Sequence, residues 1–421
     1  MTERIGSILK HLSPGSGLSQ VTSKNPDDIV ITLAIRTPLC KGKKGGFKDT
    51  TLEYMTYALL KEVKDRAGFD TNIVEDICFG NVRTTPIMSP TQRPPTKPRA
   101  AALSAGFPES SGASSVNRFC SSGLKATADI AHAIAAGSIE VGVAVGAESM
   151  TIGGDALDKP FDEEMIKHSQ AARDTMMAMG WTSENVARDF GITREQVDTY
   201  AAESFRRAEA AQKAGWFADE IVPITTRVKG ADGEIKEVTL SRDEGIRPGT
   251  TAEGLMKIRS AFPQWGPITT GGNASQVTDG AAAVVLMKRS KAIKLGVPVL
   301  AKYVGSTVAG LAPRIMGIGP AVAIPKLLAQ HNLTIADCDV VELNEAFGTM
   351  AVYCRDKLGL DWAKMNPRGG AIALGHPLGT TGTRQIVTGL SECRRQKKKI
   401  LLTSMCIGTG MGMAGLFVNE Q

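Results

Sequence analysis

The sequence predicts an α/β fold built as two similar halves, and three observations predict it. Two distant segments share a layout. The first reads Val116-Asn117-Arg118-Phe119-Cys120-Ser121-Ser122-Gly123-Leu124-Lys125-Ala126, then a helical run, Gly137 and the apolar strand Val141-Gly142-Val143-Ala144-Val145-Gly146. The second reads Gly369-Gly370-Ala371-Ile372-Ala373-Leu374-Gly375-His376-Pro377-Leu378-Gly379, then a helical run and the strand Ile400-Leu401-Leu402-Thr403. A second echo links Ile73-Val74-Glu75-Asp76-Ile77-Cys78-Phe79 with Ile335-Ala336-Asp337-Cys338-Asp339-Val340-Val341-Glu342. Third, short apolar strands alternate with helical stretches, the pattern of right-handed crossovers and a mainly parallel sheet. Two halves built alike would meet across a pseudo-two-fold axis. That would bring together Cys120, His376 and Cys406, which opens the glycine loop Cys406-Ile407-Gly408-Thr409-Gly410-Met411-Gly412.

Taken in order, the elements support this reading. Residues 1–28 stand apart, because Gly, Ser, Pro and Asn dominate from Ser13 to Pro26 as in a flexible linker. Ahead of that linker, Ile5, Ile8, Leu9 and Leu12 would share one helix face flanked by Arg4 and His11. Ile29-Val30-Ile31-Thr32-Leu33 opens the fold as a buried strand, Leu52 to Ala67 follows as an amphipathic helix, and Glu75 to Val82 as a second strand. The helix after Cys120 is rich in alanine (Ala126, Ala128, Ala131, Ala133, Ala135, Ala136), which suits close packing on all sides. From about Thr151 to Phe262 the pattern changes to helices at Met165–Met179 and Val186–Gly215 with polar turns such as 229–233, as expected of an insertion. Ala281-Ala282-Ala283-Val284-Val285-Leu286-Met287 returns to the first half as a buried strand, and the second half begins near Val297.

Length and composition narrow the function classes. At 421 residues the chain exceeds one ordinary core. Apolar content of 42% and charged content of 22% are those of a globular protein, and no apolar run approaches the ~20 residues that span a bilayer. The net charge of +6 only slightly favours an anionic ligand. Seven cysteines, odd in number and without a C-x-x-C, form neither a disulfide framework nor a zinc site, so reduced thiols are expected. Cys40, Cys78, Cys338, Cys354 and Cys393 read as packing or surface residues. The basic run Arg394, Arg395, Lys397, Lys398 and Lys399 ends a helix, where it complements the dipole. It lacks the aromatic partners of a nucleic-acid surface.

The segment Asn117-Arg118-Phe119-Cys120-Ser121-Ser122-Gly123-Leu124, Asn344-Glu345-Ala346-Phe347, the stretch 369–379 and the loop 406–412 together resemble the signatures of the thiolases, in the family's order. Thiolases cleave or form 3-ketoacyl-CoA thioesters, and the similarity runs from about Asp28 to the C-terminus. The resemblance implies the thiolase fold: two duplicated βαβαβαββ halves in a five-layer α-β-α-β-α arrangement, with an inserted loop domain that covers the CoA. The expected division is a leader at 1–28, a first half at 29–150 plus 263–292, the loop domain at 151–262 and a second half at 293–421.

The residues themselves suit the implied chemistry. Cys120 precedes a helix, whose N-terminal N–H groups and dipole favour a thiolate, the form that attacks a ketone beside a thioester. A cysteine before a helix is structural more often than catalytic, and the surrounding signature reverses that. His376, between Gly375 and Pro377, can titrate near neutrality and so serve as the base for Cys120. Cys406 would protonate the acetyl-CoA enolate and recover the proton in the reverse direction. The N–H groups of Gly408 and Cys120 would form an oxyanion hole, and Asn344 would hold a water that, with His376, stabilises the enolate oxygen. Met179, Ser275, Ala346 and Phe347 match positions lining the family's pantetheine and acyl channel, where ordinary packing is the plainer alternative.

No metal or cofactor is implied, since CoA is a substrate. The expected partners are 3-ketoacyl-CoA, CoA and a second copy of the chain, with no nucleic acid and no membrane span. Arg4-Ile5 and His11-Leu12 resemble a type-2 peroxisomal targeting signal read by an import receptor. A mitochondrial presequence is the alternative, disfavoured by Glu3 and the single Arg4. Phe119 and Lys125 stand where many thiolases carry glutamine, and Pro86 to Pro98 is proline-rich where many are glycine-rich. The reading is a degradative acetyl-CoA C-acyltransferase. Its rivals are the acetoacetyl-CoA-specific enzyme, a decarboxylating ketoacyl synthase and a catalytically silent interaction protein.

Overall fold

The computed structural model describes residues 17–83, 96–152, 161–230 and 232–421. Arg4, Ile5, His11 and Leu12 lie outside these residues, as does most of the Pro86–Pro98 stretch. Twelve strands are present among the described residues: β1 (Ile29–Arg36), β2 (Cys40–Lys41), β3 (Asp76–Gly80), β4 (Gly112–Val116), β5 (Val141–Glu148), β6 (Ile224–Lys229), β7 (Ile235–Leu240), β8 (Thr278–Lys288), β9 (Ala301–Gly310), β10 (Val340–Leu343), β11 (Ile400–Ile407) and β12 (Met411–Asn419).

The main sheet runs β10-β11-β12-β9-β1-β8-β5-β3-β4, with β2 added to β8, while β6 and β7 form a separate ribbon. Its two halves join where β1 meets β9 through two residue pairs, Val30 with Lys302 and Ile31 with Ala301. Each half repeats one plan. In the first, β3 pairs in parallel with β4 and β5, and β5 pairs antiparallel with β8. In the second, β10 pairs in parallel with β11, and β11 pairs antiparallel with β12. The place of β4 is taken by residues 364–366, which bridge Val341 in parallel through Met365.

The expectation of a mainly parallel sheet is therefore corrected: the sheet is mixed. Crossover helices enforce parallel pairing only between the strands they join. The last two strands of each half have no crossover between them. A tight turn links β11 to β12, and the excursion 149–277 links β5 to β8.

Burial on both faces explains the unbroken apolar strands. In β8, Ala281, Ala283, Val285 and Met287 enter one buried cluster, and Ala282, Val284 and Leu286 enter another. In β11, Ile400 and Leu402 face one cluster, and Leu401, Met405 and Ile407 the other. The middle cluster is shared by the halves and holds the two central helices, Ser122–Ala135 and Thr381–Gln396. The Leu52–Arg66 helix covers the outer face of the first half, and Gly319–Gln330 covers that of the second. Helix, sheet, paired helices, sheet and helix make five layers.

Glycines let the central helices touch. A Cβ at Gly123 would overlap Gly379 O and Thr383, and one at Gly382 would overlap Leu124. The Ser122–Ala135 helix is not packed on all sides, however. His132, Ala135 and Ala136 in its last turn are exposed, because that end emerges from between the half-sheets.

The helices of the excursion also differ from expectation. Met165–Met179 is broken into Glu163–Lys167 and Gln170–Asp174, capped by the Asp162 and Ser169 side chains. Val186–Gly215 divides into the end of Met179–Phe190 and the whole of Arg194–Lys213. Gly191, at φ +65°, ends one helix, and a Thr193–Gln196 capping box starts the next. Among the described residues no helix is long and apolar enough to cross a membrane. The seven cysteines are all free.

Candidate active site

Both junctions singled out in the sequence lie between a sheet edge and a central helix. After β4 the chain turns sharply: Asn117 Oδ1 accepts the Phe119 N–H at 2.9 Å, and Phe119 O accepts the Ser122 hydroxyl at 2.7 Å and its N–H at 3.0 Å. This turn sets Cys120 two residues ahead of the first central helix. Cys120 is intermediate in exposure. Burial pushes its thiol up to about 12, and the Glu148 carboxylate pushes the same way. The backbone N–H groups of Cys120 and Gly408 act against them. The expected thiolate is thus corrected to a resting thiol, because loss of water around the sulfur outweighs the N–H groups at the helix end.

His376 is buried, held by its own N–H on Gln276 O at 3.0 Å. Its preceding residue, Gly375, has φ +112°, and a Cβ there would overlap Thr278. The hydrogen bonds assign the imidazole tautomer. The Thr381 hydroxyl donates to Pro377 O at 3.0 Å, so its oxygen is left to accept from His376 Nδ1 at 2.6 Å. With the proton on Nδ1, Nε2 is the acceptor, and Asn344 Nδ2 donates to it at 3.3 Å. Burial, then the Arg384 guanidinium, lowers the imidazole to about 3. Titration near neutrality, expected from the residue type alone, gives way to a ring that is neutral at rest, with Nε2 as its acceptor.

Cys406 is the penultimate residue of β11, fully buried, with Sγ 3.3 Å from Met350 Sδ. Burial holds this thiol well above its ordinary range, and a charge on the Cys120 sulfur would raise it further, which places the two sulfurs in one electrostatic environment. Cys406, Met316, Ala346 and Met350 form a small apolar cluster of their own, with Phe347 packed against it. Ser275 joins it through a 3.0 Å bond from its N–H to Ala346 O, and Ala274 bridges Phe347. Asn344 is fully buried, and its Oδ1 has no partner among the described residues, leaving an acceptor free for a water or a ligand. Met179 differs from the rest. It begins its helix 39% exposed, and no described contact joins it to the cluster.

Three positioning residues escaped the sequence reading. Glu345, inside the quoted motif, accepts from Tyr200 OH (2.8 Å), Ser204 Oγ (2.7 Å), Asn366 Nδ2 (2.7 Å) and Ile372 N (3.1 Å), tying the Asn344 loop to the His376 loop. Glu148, at the end of β5, accepts from Asn81 Nδ2 and Val82 N and Arg83 N at 3.0 Å and from Gly379 N at 2.9 Å. Burial raises it to about 7 despite those bonds. Thr381, as described, fixes the imidazole. For Glu148 the available signal was an acidic residue closing an otherwise apolar strand; for Glu345 it was an acidic residue inside the motif already singled out.

Comparison with known proteins agrees with this geometry. The thiolase N-terminal domain profile matches residues 29–290, and the thiolase C-terminal domain profile matches 297–419. The peroxisomal 3-ketoacyl-CoA thiolase of Yarrowia lipolytica is 47% identical, over 99% of this chain and 100% of its own length. The dimeric peroxisomal thiolase of Saccharomyces cerevisiae has a crystal structure that superposes with a TM-score of 0.86 at 45% identity, covering 96% of this chain and 100% of that one. An acetyl-CoA acetyltransferase from Bacillus anthracis is similar at a TM-score of 0.84 and 34% identity, covering 94% of this chain and 99% of that one. Likeness of this extent, along the whole chain and on the same fold, makes the chain a member of the thiolase family.

Proposed function

We propose that this chain is a peroxisomal 3-ketoacyl-CoA thiolase of fatty-acid β-oxidation. It cleaves 3-ketoacyl-CoA with free CoA to give acetyl-CoA and an acyl-CoA shortened by two carbons. The observation that most supports a working site is the His376 tautomer: a buried neutral imidazole with its proton on Nδ1, whose acceptor nitrogen, Nε2, meets the Asn344 amide.

The residues divide the reaction as follows. Cys120 Sγ bonds to the 3-keto carbon as its proton passes to His376 Nε2, so the thiolate forms only as it is used. The resulting alkoxide lies at the N–H groups of Cys120 and Gly408, which stabilise charge as it develops. Collapse breaks the bond between carbons 2 and 3 and leaves the acyl group on Sγ. The electron pair departs as the acetyl-CoA enolate, whose oxygen is met by the Asn344–His376 pair through a water. Cys406 gives its proton to carbon 2 and becomes a thiolate. Acetyl-CoA leaves, and incoming CoA returns a proton to Cys406 as its sulfur attacks the acyl carbon. Cys120 leaves as a thiolate and recovers its proton from His376. No step uses a metal or a bound cofactor.

Ser275, Ala346 and Phe347 would line the acyl and pantetheine path, and Met179 would approach from the loop domain at 151–262. The chain would act as a homodimer, as the S. cerevisiae relative does. Arg4, Ile5, His11 and Leu12 would address it to the peroxisomal import receptor. The acetoacetyl-CoA-specific reading is less well supported, since the peroxisomal relatives are the more identical ones.

Thiolysis rates on acetoacetyl-CoA and on a long-chain 3-ketoacyl-CoA, for wild type and Cys120→Ala, test the assignment. Long-chain cleavage that the substitution abolishes is expected. Activity confined to acetoacetyl-CoA would move the chain to the short-chain enzymes.

A further inference from the structure

Phe119 occupies a backbone position that its side chain does not favour. Its φ is +46°, in the left-handed region where a Cβ crowds the following carbonyl and where glycine is the ordinary choice. The conformation is imposed from both sides. Asn117 Oδ1 takes the Phe119 N–H, and the Ser122 hydroxyl and N–H take its carbonyl, closing the turn that presents Cys120. A glycine would make the same backbone bonds without strain. The phenyl ring is not needed by the core either. Among the described residues it belongs to none of the four buried apolar clusters, and the residue stays 38% exposed. A strained bulky residue beside a reactive group, with an unburied ring, asks for a use outside folding.

The glycine beside the ring shows where that use lies. A Cβ built on Gly408 would sit 3.4 Å from Phe119 Cγ and Cδ1, so the ring lies along the glycine whose N–H faces the Cys120 sulfur. When an acyl group is on Cys120, its carbonyl oxygen points to the N–H groups of residues 120 and 408. The acyl carbon is trigonal, so the chain leaves it at the trigonal angle from that oxygen, and the ring of the residue next to Cys120, lying along Gly408, is the apolar surface at hand beside the thiol. We infer that Phe119 is a specificity-determining residue: its ring is the apolar surface on which the aliphatic chain of a 3-ketoacyl group lies as it leaves the acylated thiol. Acetoacetyl-CoA has a single methyl beyond its keto carbon and gains little there. Medium and long 3-ketoacyl chains cover the exposed ring and exchange water for apolar contact. This inference rests on the thiolase reading above.

Thiolysis of acetoacetyl-CoA and of 3-ketodecanoyl-CoA by wild type, Phe119→Ala and Phe119→Leu gives the test, read as the ratio of kcat/KM for the long substrate over the short one. In Phe119→Ala the ratio falls about tenfold, the size expected for a lost apolar contact at a binding site. In Phe119→Leu, which keeps an apolar surface, most of the ratio returns. An unchanged ratio, with wild type active on both substrates, overturns the inference and leaves the thiolase reading standing. Wild type inactive on both sinks the two together. A thermal melt of Phe119→Gly gives a second readout. Relief of the left-handed strain should leave its Tm at or above wild type. A Tm several degrees lower would make the ring a structural plug and overturn the inference.

Discussion

In the first half, the loop between β4 and the first central helix holds Cys120; in the second, the loop between residues 364–366 and the second central helix holds His376. Both use a tight turn beside a glycine-mediated helix contact, Gly123 on one side and Gly382 on the other. The strand that follows each helix then diverges. β5 ends in Glu148, and the chain leaves on the excursion 149–277 before returning as β8. β11 ends in Cys406 and Ile407 and turns straight back as β12. On the proposed roles, the same plan would deliver nucleophile and base from matching positions, while the strand end and closed turn of the second half would add the acid, Cys406, and a second oxyanion donor, the Gly408 N–H. In the first half, the matching strand end supplies Glu148, which holds the His376 loop through Gly379. Duplication gives the site its geometry, and the departures from symmetry give it different chemical roles.

If the halves divide the work in this way, removing the nucleophile should cost most. Cys120→Ala is expected to lose thiolysis by on the order of 10⁴-fold or more, without loss of fold, measured by acetyl-CoA release. Cys406→Ala should also be severe, roughly 10²- to 10⁴-fold, and selective. It should abolish exchange of the acetyl-CoA methyl protons with D2O while Cys120 remains open to alkylation. Retained exchange would mean that the second half supplies no acid from this position.

Asn344→Ala comes next, with kcat lower by roughly 10²- to 10³-fold, as for loss of one donor to a developing oxyanion. Glu345→Gln tests the link between the Asn344 and His376 loops. An amide cannot accept from all four present donors, so stability should fall by about 1–3 kcal/mol, read from denaturant unfolding.

The smallest effect is one of pH. With Cys120 held near 12 and His376 near 3, neither group changes charge between pH 6 and 10. The thiolate fraction below its pKa grows tenfold per unit, so iodoacetamide alkylation of Cys120 should climb across that range, less steeply near pH 7, where Glu148 ionises and holds the thiol up. A plateau above neutrality would instead reveal a preformed thiolate–imidazolium pair.

Much of this was legible in the residues, and what was hidden had physical reasons. The repeated loop-to-helix layout and the echo of 73–79 in 335–342 foretold the duplicated halves, because local patterns fix which segments become strands. Pairing direction was not legible, since the antiparallel ladders of β8 and β12 depend on what the connections do in space. The excursion's helix ends were misjudged where Gly191 and Thr193 interrupt an apolar pattern that would otherwise continue.

For the site, the four motif positions were visible by their order, whereas the protonation states were not. The thiolate expected of Cys120 rested on a helix end, a local feature. Its resting thiol follows from burial and from Glu148, which lies 28 positions away in the chain. The neutrality of His376 likewise depends on burial and on Arg384, and its tautomer on Thr381, which no motif flagged.

The most direct test of this division between halves is to locate the acyl group. The protein would be mixed with an isotopically labelled long-chain 3-ketoacyl-CoA in the absence of free CoA, quenched, digested and mapped by mass spectrometry. The account predicts release of about one equivalent of acetyl-CoA per site, with the shortened acyl group on Cys120 and none on Cys406. Label on Cys406, or acetyl-CoA released with no acyl group on Cys120, would contradict it.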